Sequence, residues 1–274
     1  MSIKPNLLFF QTYWGSPLSW DAFCKKSKLA GYDGVEIWFP FEQVADIEIQ
    51  ARLQEYDLKL VLGFGTDKSI PYKESLIEYI NQLKKLCRFK PTAINAHTGS
   101  DFFTQAQNKA FIDAANKISK EKNIPVYHET HRGRFAFNLP DTNRFLELIP
   151  DLKLNLDISH WIVVHESLLE DQDKNLELVI DRTNHIHARI GFEEGPQVNN
   201  PEAPEWNREL KRHLDIWEKV ILKRWEEGHE IFTVTTEFGP PNYLHTLPFS
   251  QIPVSDQWEA NIFIMDALKK RLRL

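Results

Sequence analysis

Eight times along this 274-residue chain, an apolar run of strand length is followed by a longer amphipathic segment. Period-two alternation marks the short runs and helical periodicity marks the long ones. The pattern predicts strands over 6–13, 34–39, 59–63, 92–97, 125–129, 152–158, 185–189 and 231–237. It predicts helices over 20–30 (closed by Gly31), 44–55, 73–87, 103–120, 141–148, 174–182, 209–227 and 256–272. Regular strand–helix alternation implies a parallel sheet, because parallel neighbours need a crossover between them. Eight such units in a chain of this length predict an α/β fold, a (β/α)8 TIM barrel forming a single domain over 1–274. The competing open, doubly wound sheet usually carries a Gly-rich turn after its first strand. Here that turn reads TYWGSPLSW, with one glycine and no phosphate-loop spacing.

Composition narrows the function classes. Apolar residues make up 42 % of the chain, ample for a core, and the net charge is −6. An acidic balance argues against a nucleic-acid partner, which needs a basic face. No run reaches membrane length, and the apolar stretch near the N-terminus is too short for a signal segment. Cys24 and Cys87 lie far apart in helical segments and read as reduced packing residues, so a cytoplasmic protein is expected.

Alternate residues of a strand face opposite sides, and in a barrel one side meets the helices while the other fills the interior. Applied strand by strand, parity separates apolar from polar. Ile94 and Ala96 oppose Asn95 and His97. Tyr127, Glu129 and His131 share a face. Leu154, Leu156 and Ile158 oppose Asn155 and Asp157. Ile186, Ala188 and Ile190 oppose His185, His187 and Arg189. Phe232, Val234 and Phe238 oppose Thr233, Thr235 and Glu237, and Glu36 falls between Val35 and Ile37. The ionisable groups also sit late in each strand, at the end where barrel active sites are built. Glu129, Asp157 and Glu237 cannot all stay charged side by side without a cation. With His187 they form a three-carboxylate, one-imidazole set. That set suits one divalent metal ion, Mn²⁺ or Mg²⁺ before Zn²⁺ or Co²⁺.

In order along the chain, GYDGVEIW, INAHTG, VYHET, LNLDISHW, HIHARI and TTEFGPP resemble the xylose isomerase-like TIM-barrel superfamily, the sugar phosphate isomerase/epimerase type. The resemblance covers most of the chain. It implies a metal held by Glu129, Asp157, His187 and Glu237, with Glu129 and Glu237 as the catalytic acid–base pair on opposite sides of a substrate carbon. It also implies that His160, of the pattern Asp157-Ile158-Ser159-His160, touches substrate or a further metal. The implied chemistry is isomerisation or epimerisation of a carbohydrate through an enediolate. Dehydration of a keto-polyol, or sugar binding without turnover, are the alternatives. One family branch, endonuclease IV, has a zinc-ligating histidine on strand three. LKLVLGFGT supplies none here, so that branch is not expected.

Other polar residues at the mouth are candidate substrate contacts. His97 and Glu36 face inward. His131, Arg132 and Arg134 follow strand five and, with Arg189, could clamp a carboxylate or phosphate. His128 has the wrong parity and should be structural, and His185 should lie deeper. The Pro-, Gly- and Asn-rich stretch 191–206 is expected to cover the mouth as a lid, with Glu194 and Gln197 as its polar contacts. The Trp-rich segment 209–227 is a candidate surface for pairing into a homo-oligomer.

Overall fold

A computed structural model describes residues 6–41 and 44–274. The reading of the first five residues lies outside them. Eight parallel strands close into a barrel in chain order: β1 Asn6–Thr12, β2 Gly34–Trp38, β3 Lys59–Gly65, β4 Ala93–His97, β5 Val126–Glu129, β6 Leu154–Leu156, β7 Thr183–Ala188 and β8 Ile231–Thr236. The helices are α1 Trp20–Leu29, α2 Asp46–Glu55, α3 Tyr72–Leu86, α4 Gln105–Lys122, α5 Leu139–Leu148, α6 Ile158–His165, α7 Asp173–Arg182, α8 Asn207–Glu226 and α9 Gln257–Leu272. Among the described residues no helix is long and apolar enough to cross a membrane.

Each expected bound lies within two residues of the observed one, but one helix was not expected. The chain leaves β6 at Leu156, and Asp157 caps a short helix instead of extending the strand. Its Oδ1 accepts the Ser159 N–H at 3.0 Å, satisfying an otherwise orphaned amide of the first turn. The helix ISHWIVVH buries Ile158, Ser159, His160, Trp161 and Ile162 together. With no polar face it shows no amphipathic signal.

The strands' outward side chains build the apolar shell under the helices. Inside the barrel, Leu8, Phe10, Val61 and Ala93 form an apolar plug with Tyr127 packed on it. These are the early interior positions of their strands. The plug fills the amino end, so the polar interior positions are confined to the carboxyl end. Cys24 and Cys87 are buried and free.

Two buried histidines fasten elements outside the barrel interior. The Thr98 hydroxyl lies 2.7 Å from His128 Nδ1. His213 of α8 accepts the Gly191 N–H on Nε2 at 3.1 Å and donates from Nδ1 to the Glu209 carbonyl at 2.7 Å. Burial pulls their pKa values down to about 3 for His128 and about 4 for His213. Both lie below the unfolded value, so the unfolded chain takes up the protons first. Stability is therefore complete above about pH 6.5 and is lost as pH falls toward 4 and then 3. His213 alone accounts for about 3 kcal/mol of that loss. Denaturant unfolding from pH 7 to pH 4 should show a shallower decline in His213→Gln than in wild type; parallel declines would refute the assignment.

Candidate metal centre

The carboxyl-end interior positions converge. One ligand atom from each of Glu129, Asp157, His187 and Glu237 lies within 4.8 Å of all the others. All four residues are buried. His187 Nδ1 is 3.0 Å from Glu237 Oε2 and 3.4 Å from Glu129 Oε2. Neither His187 Nδ1 nor Glu237 Oε2 makes a hydrogen bond, although both are buried. A buried imidazole nitrogen and a buried carboxylate oxygen left without hydrogen bonds are groups that a cation can satisfy, so the residues present fit a divalent ion.

The charges in the site follow from burial and proximity. Burial alone would lower the His187 pKa, but the carboxylates of Glu237, Glu36 and Glu129 outweigh it and hold it well above the ordinary imidazole value. Burial raises Asp157 to about 6 against the pull of Arg189. For Glu237 burial is outweighed by His187 and Arg189, which bring it down to about 2. Arg189 is fully buried and spans two of the candidate ligands. It pairs with Asp157, approaches Glu237 Oε2 at 3.5 Å and donates to His160 Nε2 at 2.8 Å.

A pocket of about 290 Å³ opens above these groups, lined by Trp14, Trp38, His97, Glu129, His131, Arg189, Glu237 and Tyr243. The structure thus brings His97, His131 and Arg189 to the mouth beside the two glutamates. His97 Nε2 lies 3.1 Å from Glu129 Oε1. Its ring sits tilted between Trp38 and His131, with centroids at 4.4 and 4.2 Å. His131 in turn lies over His160 at 3.9 Å. Burial keeps all three imidazoles well below the usual pKa and hence neutral.

The other expected contacts are placed differently. His160 is fully buried behind Arg189, outside the pocket lining. Arg132 stands over the Tyr243 ring at 5.4 Å, on the rim. Arg134 is turned away from the mouth: its Nη1 donates to the Thr66 carbonyl at 2.8 Å, holding the β3 and β4 loops. Glu36 is not among the lining residues. The stretch 191–206 contributes no lining residue. Gln197 is buried and exchanges two hydrogen bonds with the Gly239 backbone, at 2.7 and 3.1 Å, while Glu194 points to solvent.

Three aromatic walls were not anticipated. Trp38 shares the parity of Glu36, so the rule that found the acids would have found it. Trp14 follows the first strand-like run, and Tyr243 lies in a loop with no comparable signal. Two glycines seat the indoles. A Cβ at Gly63 would meet Trp38 at 2.5 Å, and one at Gly239 would meet Trp14 at 2.5 Å. Gly63→Ala should therefore displace Trp38 and raise KM for any substrate by about tenfold, with a small change in melting temperature. An unchanged KM would remove Trp38 from the substrate wall.

A family model described as xylose isomerase-like TIM barrel matches residues 24–216. The chain belongs to this family. Solved structures agree on the fold of this xylose isomerase-like barrel. It is similar to D-allulose 3-epimerase from Methylomonas sp., at 16 % identity over 99 % of each chain with a TM-score of 0.66. It is similar to the probable 3-DHS dehydratase AsbF from Bacillus anthracis, at 18 % identity over 96 % of this chain and 98 % of the other, TM-score 0.62. A xylose isomerase-like TIM barrel protein from Mycobacterium smegmatis in complex with magnesium shares 11 % identity over 92 % and 89 %, TM-score 0.58. A search of curated proteins gives no match.

Proposed function

We propose that this xylose isomerase-like barrel is a divalent-metal-dependent isomerase or epimerase acting on a sugar, sugar acid or sugar phosphate. The observation that carries the proposal is the pairing of Glu129 and Glu237 across one pocket, each contributing a ligand atom to the same four-residue cluster. A bound divalent cation supplies Lewis-acid polarisation of a substrate carbonyl and stabilises the negative charge that develops on it. Glu129, Asp157, His187 and Glu237 would hold it.

The chain's own groups account for the proton movements. One of the two glutamates removes the proton alpha to the carbonyl, and the other returns one to the opposite face or the neighbouring carbon. The Asn95 amide, 2.6 Å from Glu129 Oε2, orients that carboxylate. Neutral His97 and His131 are placed to hydrogen-bond substrate hydroxyls, and Trp14, Trp38 and Tyr243 exclude water from the sides. Arg132, on the rim over Tyr243, is placed to meet a substrate acid or phosphate.

Dehydration is the second reading. The wide aromatic walls also suit a ring-shaped keto-polyol, and a neighbouring barrel of known structure carries the name of a dehydratase. Both readings begin with the same proton abstraction. The purified protein should contain about one divalent ion per chain, and in deuterated water it should exchange the alpha proton of a ketose it turns over. Deuterium incorporation without loss of water assigns an isomerase or epimerase; loss of water assigns a dehydratase. Bound metal without exchange on any ketose offered would sink both.

A further inference from the structure

Glu36 is fully buried and is not among the residues that line the pocket. Its contacts form a directional chain. Thr235 Oγ1 donates to Glu36 Oε2 at 2.6 Å. A threonine hydroxyl has one proton, so towards His185 Nε2, 3.1 Å away, the same oxygen acts as acceptor. His185 therefore carries its proton on Nε2, and its bare Nδ1 accepts from the Thr233 hydroxyl at 2.6 Å. Each donor is set by the one before it. On the other side of the carboxylate, His187 Nε2 lies 3.0 Å from Glu36 Oε2. Glu36 Oε2 already accepts from Thr235, and accepting here too it takes a proton from this nitrogen. The Asn95 amide nitrogen is 3.4 Å from His187 Nε2, but its two protons have carboxylate acceptors, Glu129 Oε2 at 2.6 Å and Glu36 Oε1 at 3.4 Å. A bare Nε2 would set a lone pair against the Glu36 oxygen.

A neutral His187 protonated on Nε2 has its lone pair on Nδ1, the atom that faces Glu129 and Glu237. We propose that Glu36 and Thr235 are positioning residues that lock His187 in the Nε2–H tautomer with Nδ1 aimed at the metal. A carboxylate behind a histidine ligand fixes its ring and raises its basicity. The chain Thr233–His185–Thr235–Glu36 extends that support from the apolar plug to the centre. The inference rests on the proposed metal site. The alternative is that these groups merely satisfy one another in the barrel interior.

The test uses Zn²⁺ alone, a diamagnetic probe, on the full chain. Zn²⁺ affinity is measured by chelator competition in wild type, Glu36→Gln, Thr235→Val and Thr235→Ser. Nitrogen-15 spectra of the zinc-loaded protein identify which nitrogen of His187 carries the proton. The expected result is a proton on Nε2 in wild type and a loss of affinity of about ten- to a hundredfold in Glu36→Gln and Thr235→Val. Thr235→Ser, which keeps the hydroxyl, should bind nearly as wild type. Zinc bound through Nε2, or Glu36→Gln and Thr235→Val with wild-type affinity, overturns the inference and leaves the metal centre standing. A wild-type chain that takes up no zinc overturns both.

Discussion

Glu237→Gln is expected to lower kcat by about three orders of magnitude on any substrate the wild type turns over, and Glu129→Gln by a similar factor. A positioned acid or base contributes about 10²–10⁴ in rate, and in the proposed function these carboxylates would also hold the cation. Glutamine keeps the size and one oxygen but cannot move a proton. Because the two groups act in one sequence, the double variant should be little worse than either single one. Proton exchange with solvent then separates their roles. The variant lacking the abstracting base loses exchange altogether, whereas the other retains exchange without net conversion. The check is kcat with parallel measurement of bound metal. Either variant keeping a tenth of wild-type turnover would remove that glutamate from the chemistry.

Arg189→Met should destabilise the metal-free protein by about 3–5 kcal/mol, the usual cost of removing one partner from a buried ion pair. The guanidinium is the counter-charge between Asp157 and Glu237, and its loss leaves two buried acids facing one another. At this chain length the loss corresponds to a fall in melting temperature of roughly ten degrees. A divalent cation replaces the missing charge, so added Mn²⁺ should raise the melting temperature of the variant more than that of wild type. Thermal unfolding with and without Mn²⁺ decides. Equal shifts in the two proteins would mean that Arg189 and the cation do not share those carboxylates.

Much of the barrel was legible because its physics is periodic. Alternation of side chains along a strand is a property of the backbone, and burying one face in a helical shell leaves the other for the interior. That one rule placed Asn95, Glu129, Asp157, His187 and Glu237 on a common side, and the structure brings the four candidate acid and imidazole ligands together. What escaped the sequence was not periodic. Helix α6 has no polar face, so its start was visible only in Asp157 as a cap. Arg134 and Arg189 stand five and two residues from candidate ligands and look alike as charges. The backbone sends one to carbonyls behind the mouth and the other into the acid cluster, a distinction set by loop geometry.

The paired hydrogen bonds between Gln197 and the Gly239 backbone have a kinetic corollary. They join the loop after β7 to the loop after β8, and His213 anchors the root of the first by holding Gly191. This part of the rim is riveted in place, so traffic through the pocket does not wait for it to swing. Release on this side of the barrel is then expected to follow diffusion through a standing aperture, scaling with solvent viscosity rather than with a hinge frequency.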